Sequence, residues 1–139
     1  MKDKINKLIP EAIDAIEKSH IANDGIVSKE YKGYISSMGA SIMQAGLLPT
    51  IAFYANDTGK KAHSSYLLDA ILRLINPNYQ PNEKLITYVI SKCLKPQSSG
   101  SEISTSDLDF DKLFLAEEEI EDALIALKLS IRTFKIKES

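Results

Sequence analysis

The densest chemistry in the chain is a run of carboxylates. Asp107, Asp109, Asp111 and Glu118 fall at the first, third, fifth and twelfth positions of the spacing by which an acidic loop wraps a calcium ion. That loop needs glycine at its sixth position to turn sharply. Lys112 stands there instead, and its charge repels a cation. The run therefore reads as the acidic start of a helix, where side-chain oxygens satisfy open backbone donors. The two histidines, His20 and His63, are read as surface or capping residues at helix boundaries rather than as metal ligands. Cys93, the single cysteine, falls on an apolar helical face, where a thiol behaves as a small hydrophobe and its thiolate is disfavoured. One cysteine also excludes an internal disulfide and any multi-cysteine metal cage. No GxSxG elbow, GxxxxGKS/T loop, GxGxxG or HExxH occurs. The expectation is a protein with no catalytic residue, no metal and no cofactor.

Positive charge offers a second kind of chemistry, contact with phosphate. The net charge is only −2, but its distribution is uneven. Residues 102–122 hold nine acids against Lys112, whereas residues 123–139 hold Lys128, Arg132, Lys135 and Lys137 against Glu138. Acids at the start of a helix and bases at its end complement the aligned peptide dipoles, which accounts for most of this pattern. At 100° per residue, Lys128, Arg132 and Lys135 fall within about a sixth of the helix circumference and form a basic edge a quarter turn from the apolar stripe. Such an edge suits a nucleic-acid backbone, where each neutralised phosphate releases counterions. Lys60 and Lys61 are further candidates, as are Lys29 and Lys32. The last two open a helix, where positive charge runs against the dipole and is not explained as stabilising.

The elements that must position these residues read as helices. Ile5, Leu8, Ile9, Ala12, Ile13 and Ile16 recur at three and four residues, predicting an amphipathic helix from about residue 3 to residue 21. Pro10 should either kink it or mark its proper start. AsnAspGly at 23–25 predicts a turn, and Ser28 is a suitable N-cap for a second helix bearing Tyr31, Tyr34, Ile35, Met38 and Ile42 on one face. Gly46 should close that helix, with a third at about Pro49 to Asn56. SSYLLDAILRLI, residues 64–75, has almost no polar face and should be the most enclosed helix, at the centre of the core. A fifth spans Leu85 to Leu94, where period favours helix over strand, until Pro96 stops it. Residues 97–106 read as a polar loop. A last helix carries Ile120, Ala123, Leu124, Leu127, Ile131 and Phe134. The six tyrosines sit mainly at core periods and read as packing residues.

At 139 residues, 44% hydrophobic and 26% charged, the chain has the composition of an ordinary globular body that buries about two thirds of its unfolded surface. The expected architecture is all-α, a single-domain bundle of five to seven helices spanning residues 1–139. The N-terminal residues mix charge with apolar side chains and lack the hydrophobic region of a secretory signal, and no stretch approaches a membrane span. A cytoplasmic protein with no membrane contact is expected.

Within this frame, YISSMGASIMQAGLLPTIAFY at residues 34–54 resembles the small all-helical subunit of the type III-B CRISPR effector, the fifth subunit of the Cmr complex. The resemblance lies in Tyr34 opening a helix, Gly46 and Leu47, and ThrIleAlaPhe at 50–53. The family usually has proline where Gly39 stands and often asparagine where Ala45 stands. The resemblance implies a non-enzymatic subunit. It would pack in a filament with neighbouring copies of itself, beside the RAMP-type backbone proteins and the large subunit, and help hold guide RNA and target RNA. RNA contact would then be by phosphate, because pairing with the guide supplies sequence. The alternative is a helical adaptor that binds only protein, through an exposed apolar patch rimmed by the acidic segment 107–122.

Overall fold

In the computed structural model, which describes residues 2–56, 62–95 and 107–137, six α-helices pack around one core, and three short strands close one end. Helix α1 spans Lys2–Lys18, and strands β1 (Ala22–Asn23) and β2 (Ile26–Ser28) follow it. Next come α2 (Glu30–Ala45), α3 (Leu47–Ala55), α4 (Ser64–Ile75) and α5 (Leu85–Lys92). The last segment is α6 (Phe110–Ser130), a 3-10 turn (Ile131–Thr133) and β3 (Lys135–Lys137). The mostly helical expectation holds, with a small three-stranded sheet added to it.

Helix α1 runs through Pro10 rather than starting there. Proline removes the donor that would reach the carbonyl four residues earlier, at Asn6. Asn6 and Pro10 are both exposed, so the loss falls on the solvent side, while Ala12, Ala15 and Ile16 face the core. The stripe packs against α6 and α4; Ser130 Oγ donates to the Ile9 carbonyl at 3.4 Å, and Lys4 pairs with Asp122 at 3.2 Å.

Helix α4 is central because it touches all five other helices. No residue from Ser64 to Ile75 is exposed, and Leu67, Ala70, Ile71 and Leu72 are fully enclosed. Each large aliphatic side chain buried there contributes about 2 kcal/mol by leaving water. Its polar groups are satisfied locally. Ser64 Oγ donates to the Tyr54 carbonyl at 2.6 Å, and Arg73 Nε reaches Asp69 at 2.8 Å. The Tyr79 hydroxyl also bonds Asp69, and the Arg73 guanidinium lies 4.3 Å from the Tyr79 ring centroid, tying the turn after α4 back to the helix.

Two glycines act through backbone geometry. Gly46 adopts φ 97° and ψ 167°, a region closed to side chains, and its N–H donates to the Ile42 carbonyl to finish α2. Its own carbonyl accepts the Thr50 hydroxyl at 2.7 Å, so the same residue ends α2 and anchors α3. Gly25 (φ 78°) follows Asp24 (φ 54°), and two successive positive φ values form the tight turn that suits a hairpin. The expected AsnAspGly turn thus joins β1 to β2 in an antiparallel pair, Ala22 with Val27 and Asn23 with Ile26.

Three expectations need correction. Ser28 ends β2 instead of capping α2; the cap position is Lys29, and Ser28 Oγ bonds the Glu30 carboxylate. Helix α3 begins at Leu47, so Pro49 occupies its first turn, where a missing donor costs nothing. The last helix ends at Ser130, four residues short of Phe134. Pro96 and the predicted loop at 97–106 lie outside the described residues.

Candidate nucleic-acid interface

The basic candidates do not share one helical edge. Lys128 is on α6, Arg132 on the 3-10 turn and Lys135 on β3, so the 100° winding that aligned them stops at Ser130. The Thr133 hydroxyl donates back to the Ser130 carbonyl at 2.8 Å, and Phe134 is already extended at φ −103° and ψ 159°. From there the sequence Lys135-Ile136-Lys137 follows a period of two. Ile136 packs on the core while Lys135 and Lys137 are exposed on the opposite face.

Pairing fixes where this strand lies. β3 runs parallel to β2, with Ile26 opposite Lys135, Val27 opposite Ile136 and Ser28 opposite Lys137. The Lys135 N–H donates to the Gly25 carbonyl at 3.1 Å, and the Lys29 N–H donates to the Lys137 carbonyl at 3.2 Å. Lys29, at the entry to α2, is thereby joined to the strand, with exposed Lys32 one turn further on. Sequence reasoning named Lys135, Lys29 and Lys32 separately and left Lys137 out of the edge. The alternation around Ile136 was the signal that groups Lys137 with them. Lys60 and Lys61 lie outside the described residues.

Beside this strand is an open groove of about 670 Å³. Both histidines line it, with Tyr66 between them: the Tyr66 ring is 4.9 Å from His63 and 6.0 Å from His20, centroid to centroid. Asn23, Glu30 and Lys137 add polar groups to its walls. His20 follows α1 at φ 71°, which turns the chain out of the helix toward β1. His63 precedes α4 and is held from α2. Its N–H donates to Tyr31 Oη at 3.1 Å, and the Tyr34 hydroxyl donates to the Ala62 carbonyl at 2.9 Å. His63 occupies the cap position of α4 without a side-chain capping bond. The histidines were expected to be separate boundary residues and the tyrosines packing residues. His63 and Tyr66 are neighbours by their i, i+3 spacing at the start of α4, but nothing local in the sequence joins them to His20, which folding alone brings alongside.

The acidic segment behaves as a helix start. Asp109 Oδ1 accepts from the N–H groups of Asp111 at 3.0 Å and Lys112 at 3.3 Å, capping α6. Asp111 and Glu118 then belong to one continuous helix, which does not wrap an ion as a loop does. Further along, burial and the neighbouring Glu117, Glu118 and Asp122 hold the Glu121 carboxyl above the usual range. Cys93 is 1% exposed at the end of α5, and burial, with Asp109 nearby, pushes its thiol up, away from the reactive thiolate. The first turns of α6 also present Phe110, Phe114 and Leu115, each about 60% exposed, to the outside. Among the described residues no group of three or more His, Cys, Asp and Glu is placed to hold a metal ion, and no helix is long and apolar enough to cross a membrane.

A family model described as CRISPR-associated protein (Cas_Cmr5) matches residues 5–98, which takes in most of α1, all of α2 through α5, and both histidines. No curated protein and no solved structure matches the chain.

Proposed function

The chain belongs to the Cmr5 family, a subunit of the type III-B CRISPR effector that associates with other Cmr subunits, and from that premise we propose that it is a non-catalytic subunit contacting RNA through phosphates. One observation carries the reading. Lys128, Arg132, Lys135 and Lys137 are all exposed along the end of α6, the 3-10 turn and β3, and backbone pairing brings Lys29 to the same place. Bases in this arrangement follow a charged backbone without reading bases, which suits a complex whose sequence recognition comes from the guide. Lys60 and Lys61 belong to the same proposed set. Contacts with the RAMP-type backbone, the large subunit and neighbouring copies use other surfaces, in a cytoplasmic complex.

A specific feature also favours protein contact. Phe110, Phe114 and Leu115 form an exposed apolar surface at the start of α6, rimmed by exposed Asp111 and Glu118. Apolar side chains within a charged rim are the usual anatomy of a docking face. If this face were the whole function, the chain would be an adaptor with no RNA role.

The assembled complex separates the readings. Replacing Lys128, Arg132 and Lys135 with alanine should weaken target-RNA binding and reduce the salt dependence, log Kd against log salt, by roughly 2, about 0.7 for each lost phosphate contact. An unchanged slope, with the variant still incorporated, would overturn the RNA contact and leave the adaptor.

A further inference from the structure

We propose that the groove between the β1–β2 hairpin, α2 and the start of α4 accepts one unpaired nucleotide, its base against the His20, Tyr66 and His63 rings and its phosphate toward Lys137. The inference rests on the RNA-contact reading for the class of ligand, and on the groove's own chemistry for the rest. Four aromatic residues, His20, Tyr31, His63 and Tyr66, line one cavity, and bases bind single-strand readers chiefly by lying against such rings. Asn23 supplies an amide able to pair with a base edge, while the Glu30 carboxylate on the same wall is engaged by the Ser28 hydroxyl. Lys137 places positive charge at the wall nearest the basic strand, so a chain bound along β3 has its next phosphate beside the cavity. The volume, about 670 Å³, lies within the range of sites that take small organic ligands. The backbone that carries the His63 ring is also fixed in advance. Two tyrosine hydroxyls grip the backbone at Ala62 and His63, so binding need not order that wall.

Two other cavities among the described residues lack this combination. The groove beside Tyr88, Lys92 and Leu115 is about a third of the size, at 240 Å³, and contains a single aromatic ring. The depression between α1 and the end of α4 is of similar volume, 710 Å³, but Glu11 and Asp14 line it and Arg73 there is committed to Asp69.

The test uses the full chain and nuclear magnetic resonance, following the ring signals of His20, His63 and Tyr66. The probes are adenosine monophosphate, uridine monophosphate, a six-nucleotide single-stranded RNA and an RNA duplex of the same length. Single-stranded RNA should shift all three rings, and the duplex, whose bases are paired, should not. Tyr66→Leu should weaken the single strand about tenfold, and Tyr66→Phe should leave it within threefold of the parent. Because Tyr66 also packs on the core, thermal melting accompanies each variant, and His63→Ala, expected to weaken binding severalfold, serves if Tyr66→Leu does not fold. If a mononucleotide shifts the rings as strongly as the hexamer, the groove still takes a nucleotide and its source is the free pool. The proposal is overturned if neither mononucleotides nor the hexamer move the ring signals at millimolar concentration, or if folded Tyr66→Leu or His63→Ala binds like the parent. Loss of RNA affinity on removing Lys128, Arg132 and Lys135, with no effect at Tyr66 and His63, would refute the groove and spare the phosphate contacts. The reverse result would do the opposite.

Discussion

Tyr31 and Tyr34 on α2 hold the backbone at two adjacent residues, His63 and Ala62, and replacing either with phenylalanine removes one oxygen while leaving the ring in place. The edge-on contact between the two rings, 5.8 Å centroid to centroid, survives. Tyr34→Phe loses a hydrogen bond with a net value of about 1 kcal/mol. Tyr31→Phe takes the acceptor from the His63 N–H at a site where Tyr31 is only 4% exposed, so the cost rises to about 1–2 kcal/mol. With a urea slope of roughly 2 kcal/mol per molar, the unfolding midpoint should fall by about 0.5 M for Tyr34→Phe and up to about 1 M for Tyr31→Phe. The two bonds pin one short segment, so the double variant should fall short of the sum by about 0.5 kcal/mol or more. Circular dichroism measures the midpoints, and amide hydrogen exchange reads the cause: the His63 amide should lose protection in Tyr31→Phe while amides within α4 keep theirs. Midpoints within about 0.1 M of the parent, or an unchanged His63 exchange rate, would show that these hydroxyls do not fix the segment.

Two glycines should respond to alanine with opposite signs. Gly39→Ala, inside α2 with no heavy atom within 4 Å of the added methyl, should raise stability by about 0.5–1 kcal/mol, whereas Gly46→Ala should lower it by about 1–3 kcal/mol, with thermal melting as the readout. The second loss is torsional, because the nearest atom to the new methyl, Pro49 Cδ, is at an ordinary 3.8 Å. Glu121 predicts a pH dependence. Its raised folded-state value means that protonation favours folding, a contribution complete below the unfolded carboxyl range and lost as pH rises through the raised value. Glu121→Gln should therefore melt about 2 °C higher at neutral pH, reflecting about 0.5 kcal/mol of relieved repulsion from Glu117 and Glu118, and match the parent below about pH 4. Equal melting at both pH values would dispose of the idea.

What the sequence disclosed followed the reach of its physical signals. Residues 64–75 were legible to the residue because a helix enclosed on all sides needs an apolar circumference, and Ser64–Ile75 is that helix. Gly46 was legible because a closed region of backbone space demands glycine. The start of α2 was misjudged since Ser28, a good cap by type, is taken by pairing with a strand from the far end of the chain. The same pairing undid the basic edge: a helical projection was carried through Arg132 to Lys135 past the point where the period changes from 3.6 to two. The ring-lined groove was not legible, because only His63 and Tyr66 are joined by local spacing, and His20 reaches them through a contact that no local pattern encodes.

That long-range pairing also sets an order of events during synthesis. The hairpin Ala22–Ser28 can form as soon as it leaves the ribosome, but its outer partner, Lys135–Lys137, is translated after all six helices. Such distant closure is the slow part of folding and is paid for in loop entropy before it is rewarded. Lys137 is therefore among the last residues to reach the groove wall, and its carbonyl among the last groups to meet its partner, the Lys29 N–H.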